Sequence, residues 1–252
     1  MKTLLSFLFS LYLWTVVITV TFLISSLIIL SYPFALFDPD RRLAHGLGTI
    51  WGGLLIKLNP FWRLEIVGVK NLRKNSGYVL VSNHSSLADI VCLFTLGHNF
   101  KWLAKKSLFQ IPFFGWAMQV MRYVPLERGR HGSIRDSYQE ALAWLRRNMS
   151  VLIFPEGTRS RTGKMGRFKS GAFRLAIESA RPVLPIVLAG TQNVISKGKA
   201  AFGKPGKAYL SILPPIETGG LAVGDEDKLR EKVELLMREE LEKRNQRLQA
   251  SC

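Results

Sequence analysis

The sequence predicts an α/β domain built on a mixed, largely parallel central sheet flanked by helices, with an apolar membrane helix or helical hairpin at its amino end. Three observations predict it. Short apolar runs of strand length alternate with stretches of helical period along most of the chain. An uncharged run without Pro or Gly covers Leu4 to Leu30. The 252 residues, 48% hydrophobic, suffice for a sizeable core and exclude a disordered chain.

The elements follow in order. As a helix, Leu4–Leu30 would be roughly 40 Å long against a hydrocarbon core of about 30 Å, so it can cross a bilayer with tilt. Lys2 gives the basic start of a signal peptide, but the apolar run is too long for one and no clear cleavage site follows. A hairpin within one leaflet, broken near Ser25 and Ser26, is the third reading, placed behind crossing. Arg41, Arg42, Lys57 and Arg63 follow the segment, while only Lys2 and the amino terminus precede it. The positive-inside rule then puts the remainder in the cytoplasm, on a cytoplasmic or internal membrane. Leu43, Leu47, Ile50, Leu54 and Leu55 recur at helical spacing, so residues 41–58 read as an amphipathic helix on the membrane. The expected division is 1–60, membrane-associated, and 61–252, a cytoplasmic domain.

"WRLEIVGV" alternates like a strand, and "YVLVS" is an apolar run of the buried-strand kind. "SSLADIVCLFTL" has helical length, and "KWLA" and "RYVPLE" are strand candidates. Ser133 with Asp136, at capping-box-like spacing, opens a helix to about Arg147. "VLIF" is a strand, "FKSGAFRLAIESA" a helix, "VLPIVLA" and "AYLSIL" strands, and 226–248 a charged helix. The Gly- and Lys-rich "SKGKAAFGKPGK" reads as a surface loop.

The net charge of +17, from 35 Lys and Arg against 18 Asp and Glu, favours an anionic partner. Nucleic acid, an anionic bilayer and phosphorylated substrates all qualify. No zinc-finger spacing and no RNA-recognition aromatic signature supports the first. Cys92 and Cys252 lie far apart and outside any C-x-x-C motif, so no disulfide framework or zinc ribbon is implied.

Two His–Asp pairs share one spacing: His84–Asp89 and His131–Asp136. The second lies in a polar loop, where Asp136 reads as a helix cap. The first follows a buried strand and opens a helix, where active sites of α/β sheets collect. If Asn83 and His84 form the turn, Asp89 in the first helical turns can fix one ring nitrogen and leave the other as a base. The plainer alternative has Ser85 or Ser86 capping the helix and Asp89 complementing its dipole. A second motif, "FPEGTRSR", follows the strand "VLIF"; Glu156, Gly157, Thr158 and Arg159 form a loop suited to binding phosphate.

Together "NHSSLADI" and "FPEGTRS" resemble the glycerolipid acyltransferase family of the lysophosphatidate acyltransferase, PlsC-like type. "RYVPLER", with Arg128, resembles its second block, and "RPVLPIVLAGT", with Pro185, its fourth; "AKKSLFQIPFFGW" resembles the stretch between the first two. The likeness covers about Gly68 to Thr191. Leu87 departs from the aromatic residue many members carry, which bears on the acyl chain or acceptor used.

The resemblance implies acyl transfer from a thioester, acyl-coenzyme A or acyl carrier protein, to the sn-2 hydroxyl of lysophosphatidic acid, giving phosphatidic acid in phospholipid biosynthesis. It implies no metal, no cofactor and no covalent acyl-enzyme. His84 would be the base and Asp89 its orienting partner. Glu156, Gly157, Thr158 and Arg159 would hold the acceptor phosphate, with Arg128 and Lys105 adding charge. An anionic membrane, and no nucleic acid, would be the macromolecular partner. The acceptor stays open between lysophosphatidic acid and another lysophospholipid or an ornithine-type lipid. Two other classes stand against this one. A serine hydrolase would use Ser82, Ser85 or Ser86, but no G-x-S-x-G elbow occurs. A non-enzymatic, membrane-anchored basic protein would bind acidic lipid without needing His84.

Overall fold

The computed structural model describes residues 2–73, 75–160, 162–195, 198, 201–203 and 206–250, with residues 2, 3, 5 and 6 by backbone alone. Half of the Gly- and Lys-rich stretch, residues 196, 197, 199, 200, 204 and 205, lies outside the described residues, as does Cys252.

The strands are β1 (Trp62–Val67), β2 (Val79–Ser82), β3 (Phe100–Lys105), β4 (Val124–Leu126), β5 (Ser150–Ile153), β6 (Val183–Ala189) and β7 (Gly206–Ile212). They form one seven-stranded sheet in the order β1-β7-β6-β2-β5-β3-β4. β6, β2, β5, β3 and β4 run parallel; β7 runs antiparallel to β6 and carries β1 parallel beside it. The central strands are covered on both faces, which is why they read as unbroken apolar runs. Residues alternate between the two faces. Val79 and Val81 of β2 point into one core and Leu80 into the other.

The helices are α1 (Lys2–Leu30), α2 (Arg42–Lys57), α3 (Ala88–Phe94), α4 (Phe114–Val120), α5 (His131–Arg146), α6 (Gly171–Ser179) and α7 (Glu226–Ala250). α5, α6 and α7 bring Leu145, Phe173 and Val233 to the first core. α1 to α4 bring Ile24, Leu55, Leu93 and Met118 to the second. Gly48 and Gly52 let α2 close on α3: a Cβ on Gly52 would stand 2.8 Å from Phe94 Cβ and 2.9 Å from the Val91 carbonyl.

The helix expected between Ser85 and Leu96 is confined to α3, because Ser85 and Ser86 spend their N–H groups on Asp89 instead of a helical ladder. The expected cap at Ser133 is not formed. α5 starts two residues earlier, at His131, and Ser133 Oγ accepts the Glu127 N–H at 3.0 Å. No element was expected at Phe114–Val120, which forms α4.

The expected break near Ser25 and Ser26 is absent. α1 runs through both, with Ser26 Oγ returning a bond to the Phe22 carbonyl at 2.9 Å. The chain reverses after Leu30 instead, through a 3₁₀ turn over Tyr32–Leu36, and α2 runs back along α1. Trp51 Nε1 donates to Thr21 Oγ1 at 3.0 Å, and Tyr12 OH to the Leu58 carbonyl at 3.1 Å. α1 also meets the rest of the molecule along much of its length: Phe9 packs on Phe61, Trp14 on Phe202 and Phe22 on Phe113. Leu13, Val20, Ile24 and Ile28 are buried, while Leu11, Leu23, Leu27 and Leu30 face outward.

Candidate active site

The parallel strands β6, β2 and β5 end side by side, since Val81 lies opposite both Pro185 and Ile153. Three loops leave that edge: residues 83–87, 154–160 and 190–195. Asn83 joins the first to β6. Its Nδ2 donates to the Leu188 carbonyl and its Oδ1 accepts the Leu188 N–H, both at 2.8 Å. The side chain thus extends the pairing one residue past the end of β2 and sets the direction in which His84 leaves the sheet.

His84 and Asp89 meet. Nδ1 of His84 lies 2.8 Å from Asp89 Oδ2, and the aspartate is fully buried in the first turn of α3. The same oxygen accepts the N–H groups of Ser85 and Ser86, each at 2.7 Å. An oxygen occupied as an acceptor leaves Nδ1 to carry the hydrogen, so Nε2 presents a lone pair. Nε2 has no hydrogen-bond partner among the described residues. Phe154 stacks on the imidazole at 4.0 Å between centroids and 17° between planes, which fixes the ring's tilt.

The "FPEGTRS" loop passes directly behind this pair. Glu156 Oε1 accepts the main-chain N–H of His84 at 2.7 Å, and Oε2 accepts that of Gly166 at 2.7 Å. Ser160 N–H donates to the His84 carbonyl at 2.8 Å. Burial raises the Glu156 pKa above the usual carboxylate range, with the two backbone bonds pulling against it. Gly157 closes the turn with φ +74°, a left-handed conformation that suits glycine. Thr158 is exposed and Arg159 partly so. Lys105 ends β3 and Arg128 follows β4, further along the same edge; both are exposed, and their side chains make no hydrogen bond or ion pair among the described residues.

The second His–Asp pair is not assembled: His131 and Asp136 are both exposed and form no ion pair among the described residues. The serine route also fails on geometry. Ser82, Ser85 and Ser86 are buried, and their hydroxyls bond the Asn83 carbonyl, Thr191 Oγ1 and the Ile195 carbonyl. None bonds the His84 ring. Ser86 Oγ also accepts the Ala88 N–H at 3.1 Å, so helix capping and the His–Asp pair occur together.

Beside the pair lies a cavity of ≈ 580 Å³, walled by Val17 of α1, Trp51 of α2, Ile90 of α3, and Phe113 and Phe114 near α4. Leu87 and Ala88, between His84 and Asp89 in sequence, line it.

Several contributors were not visible in the sequence. Asn83 and Phe154 act through partners on other strands. Arg238 of α7 donates to the Met165 and Gly166 carbonyls at 2.9 and 3.2 Å, and Glu234 accepts the Phe168 N–H at 3.0 Å. The Glu234–Arg238 spacing is a legible helical pair, but its second set of partners is not.

The fold and this edge define an α/β enzyme domain whose polar pair adjoins Leu87 and Ala88 on the wall of an apolar cavity. The chain belongs to the acyltransferase family, whose model matches residues 63–189. It is 40% identical over 202 residues to a chloroplastic 1-acyl-sn-glycerol-3-phosphate acyltransferase of Arabidopsis thaliana, covering 79% of this chain and 56% of that protein. It is 34% identical over 173 residues to 1-acyl-sn-glycerol-3-phosphate acyltransferase alpha of Mus musculus, covering 68% of this chain and 61% of that one. The chain thus spans little more than half the length of such curated relatives. The crystal structure of the 1-acyl-sn-glycerophosphate (LPA) acyltransferase PlsC from Thermotoga maritima matches with a TM-score of 0.84 at 26% identity, over 97% of this chain and 98% of that one.

Proposed function

We propose that the chain transfers a fatty acyl group from a thioester donor, acyl-coenzyme A or acyl carrier protein, to the free sn-2 hydroxyl of 1-acyl-sn-glycerol 3-phosphate, forming phosphatidic acid. The observation that carries this reading is the 2.8 Å bond between His84 Nδ1 and buried Asp89, which leaves Nε2 as a base beside an apolar cavity. His84 Nε2 takes the proton of the sn-2 hydroxyl as its oxygen attacks the thioester carbonyl. The tetrahedral intermediate collapses, the C–S bond breaks, and the thiolate recovers the proton from the imidazolium. Asp89 stabilises the imidazolium between the two transfers. No protein–acyl bond forms, and no metal or cofactor takes part.

The phosphate of the acceptor falls to the carboxyl edge, where Thr158, Arg159, Lys105 and Arg128 stand. Glu156 acts differently, as a positioning residue, since both its oxygens are occupied by backbone N–H groups. An acyl chain occupies the apolar cavity, and Leu87 on its wall gives that residue a part in chain choice.

Membrane attachment belongs to the same reading. α1 is long and apolar enough over Phe7–Leu30 to cross a bilayer. Its inner face, however, is packed on the folded part of the molecule from Phe9 to Ile28. A helix that crosses the bilayer away from its domain cannot also lie along that domain, so α1 rests in one leaflet with its outer face in lipid. The catalytic edge then opens at the surface of the cytoplasmic leaflet, and the net charge of +17 holds the molecule on anionic lipid. The test is phosphatidic acid formation from lysophosphatidic acid and a labelled acyl donor by membranes carrying the native chain.

A further inference from the structure

We infer that Lys169 is a direct ligand of the acceptor's phosphate and selects a phosphomonoester over a phosphodiester headgroup; this rests on the acyl-transfer reading above. Lys169 stands outside every motif named in the sequence. Its main-chain N–H donates to the Pro155 carbonyl at 3.0 Å, which lays it against the loop that carries Glu156 and Gly157. Its side chain then crosses Gly157: a Cβ built there would stand 3.3 Å from both Cε and Nζ of Lys169. The glycine at φ +74° therefore does two things. It closes the turn, and it leaves the room the ammonium occupies.

An exposed lysine is ordinarily a solvated surface group. Three features set this one apart. Its backbone is held on both sides, by buried Phe168, whose N–H bonds Glu234, and by Ser170, whose carbonyl accepts the N–H groups of Phe173 and Arg174. Its ammonium has no hydrogen bond or ion pair among the described residues. The carboxylate of the loop it lies against, Glu156, has both oxygens committed to N–H groups.

The chemistry of the acceptor places an anion here. If the sn-2 hydroxyl meets His84 Nε2, the phosphate on the neighbouring sn-3 carbon lies within a glycerol's reach. Glu156 ties the His84 backbone to the turn that Lys169 crosses. A phosphomonoester carries about −1.5 to −2 charge near pH 7. A phosphodiester carries less charge and adds an alcohol that must fit under the lysine. A compact ammonium with rotatable donors suits the first.

The experiment compares native protein with Lys169→Gln and Lys169→Arg, using lysophosphatidic acid and lysophosphatidylglycerol as acceptors. For Lys169→Gln the KM for lysophosphatidic acid rises about 10- to 100-fold, the worth of a hydrogen bond to a charged group. Its kcat stays within about twofold of native. Lys169→Arg recovers most of the loss, and the preference over lysophosphatidylglycerol falls with the KM change. Binding of lysophosphatidic acid in detergent micelles, by calorimetry, is read separately on His84→Ala and on His84→Ala with Lys169→Gln. The second binds more weakly by a similar factor. An unchanged KM with unchanged binding overturns the inference, as does a loss confined to kcat. Weaker binding in the double variant, with no phosphatidic acid from native protein, overturns the acyl-transfer reading and supports the phosphate ligand.

Discussion

Glu156 Oε1 accepts the main-chain N–H of His84 at 2.7 Å, while the ring of the same histidine is held 2.8 Å from Asp89. Two carboxylates thus fix one residue, one through its backbone and one through its side chain. Phe154, two residues before Glu156, stacks on the ring between them.

This arrangement separates two roles for Glu156. As a positioning residue, its loss lowers kcat and leaves KM for the acceptor nearly unchanged. Glu156→Gln keeps one acceptor oxygen but points an NH₂ at one of the two N–H groups. The expected result is a fall in kcat of about 10- to 100-fold, with KM within about threefold. Steady-state kinetics with lysophosphatidic acid varied checks it; a large KM rise at constant kcat would place the carboxylate on the substrate instead.

The cavity has a definable end. Trp51, Trp102 and Phe114 line both the ≈ 580 Å³ cavity and a second space of ≈ 20 Å³ behind it, beside Gly48 and Met118. Trp51→Ala joins the two spaces, and the preference of the enzyme shifts to longer acyl chains. Competition between thioesters of different length reads it. The variant also loses the bond to Thr21 and part of the core, so it is less stable by ~3 kcal/mol.

Gly52 is a contact of a different kind, between α2 and the helix that carries Asp89. Gly52→Ala drives a methyl into Phe94 Cβ and the Val91 carbonyl, neither of which is a flexible side-chain end. The expected cost is about 1–3 kcal/mol, seen as a melting temperature lower by several degrees. Gly53→Ala, one position on, has open space and leaves stability unchanged or slightly higher.

Acid stability depends on His45. It is buried on α2 between Tyr123 OH and the His98 carbonyl, each at 3.0 Å, and burial, with the Lys101 charge second, lowers its pKa from 6.5 to about 3. The unfolded chain therefore binds a proton below 6.5 that the folded chain refuses until about 3. Its contribution is whole above 6.5 and is lost as pH falls, by ~1.4 kcal/mol per unit. Denaturation titrations of native protein and His45→Gln between pH 7 and 4 check this; the variant shows a shallower loss, by about one proton.

Much of this was legible in residues whose neighbours in sequence are also their neighbours in space. The apolar run of β6 reads as a buried strand because a core covers each of its faces, Val183 and Val187 pointing into one and Leu184 and Ile186 into the other. His84 and Asp89 could be paired because a tight turn and the first turn of α3 are both local. What was hidden depends on distant chain. The Asn83 side chain is an ordinary turn residue until Leu188 stands opposite it. The sequence shows α7 as a charged helix, but not that Arg238 and Glu234 hold the 165–168 segment. Composition reports the apolarity of α1, but not that Leu13, Val20, Ile24 and Ile28 are buried against the rest of the fold.

The most direct measurement is phosphatidic acid formation from lysophosphatidic acid and labelled acyl-coenzyme A or acyl carrier protein, in membranes carrying native protein or His84→Ala. Product is expected from the native chain, with a loss of at least about 100-fold in the variant, the contribution of a general base. Equal product from both would contradict this and remove the His84–Asp89 pair from the chemistry.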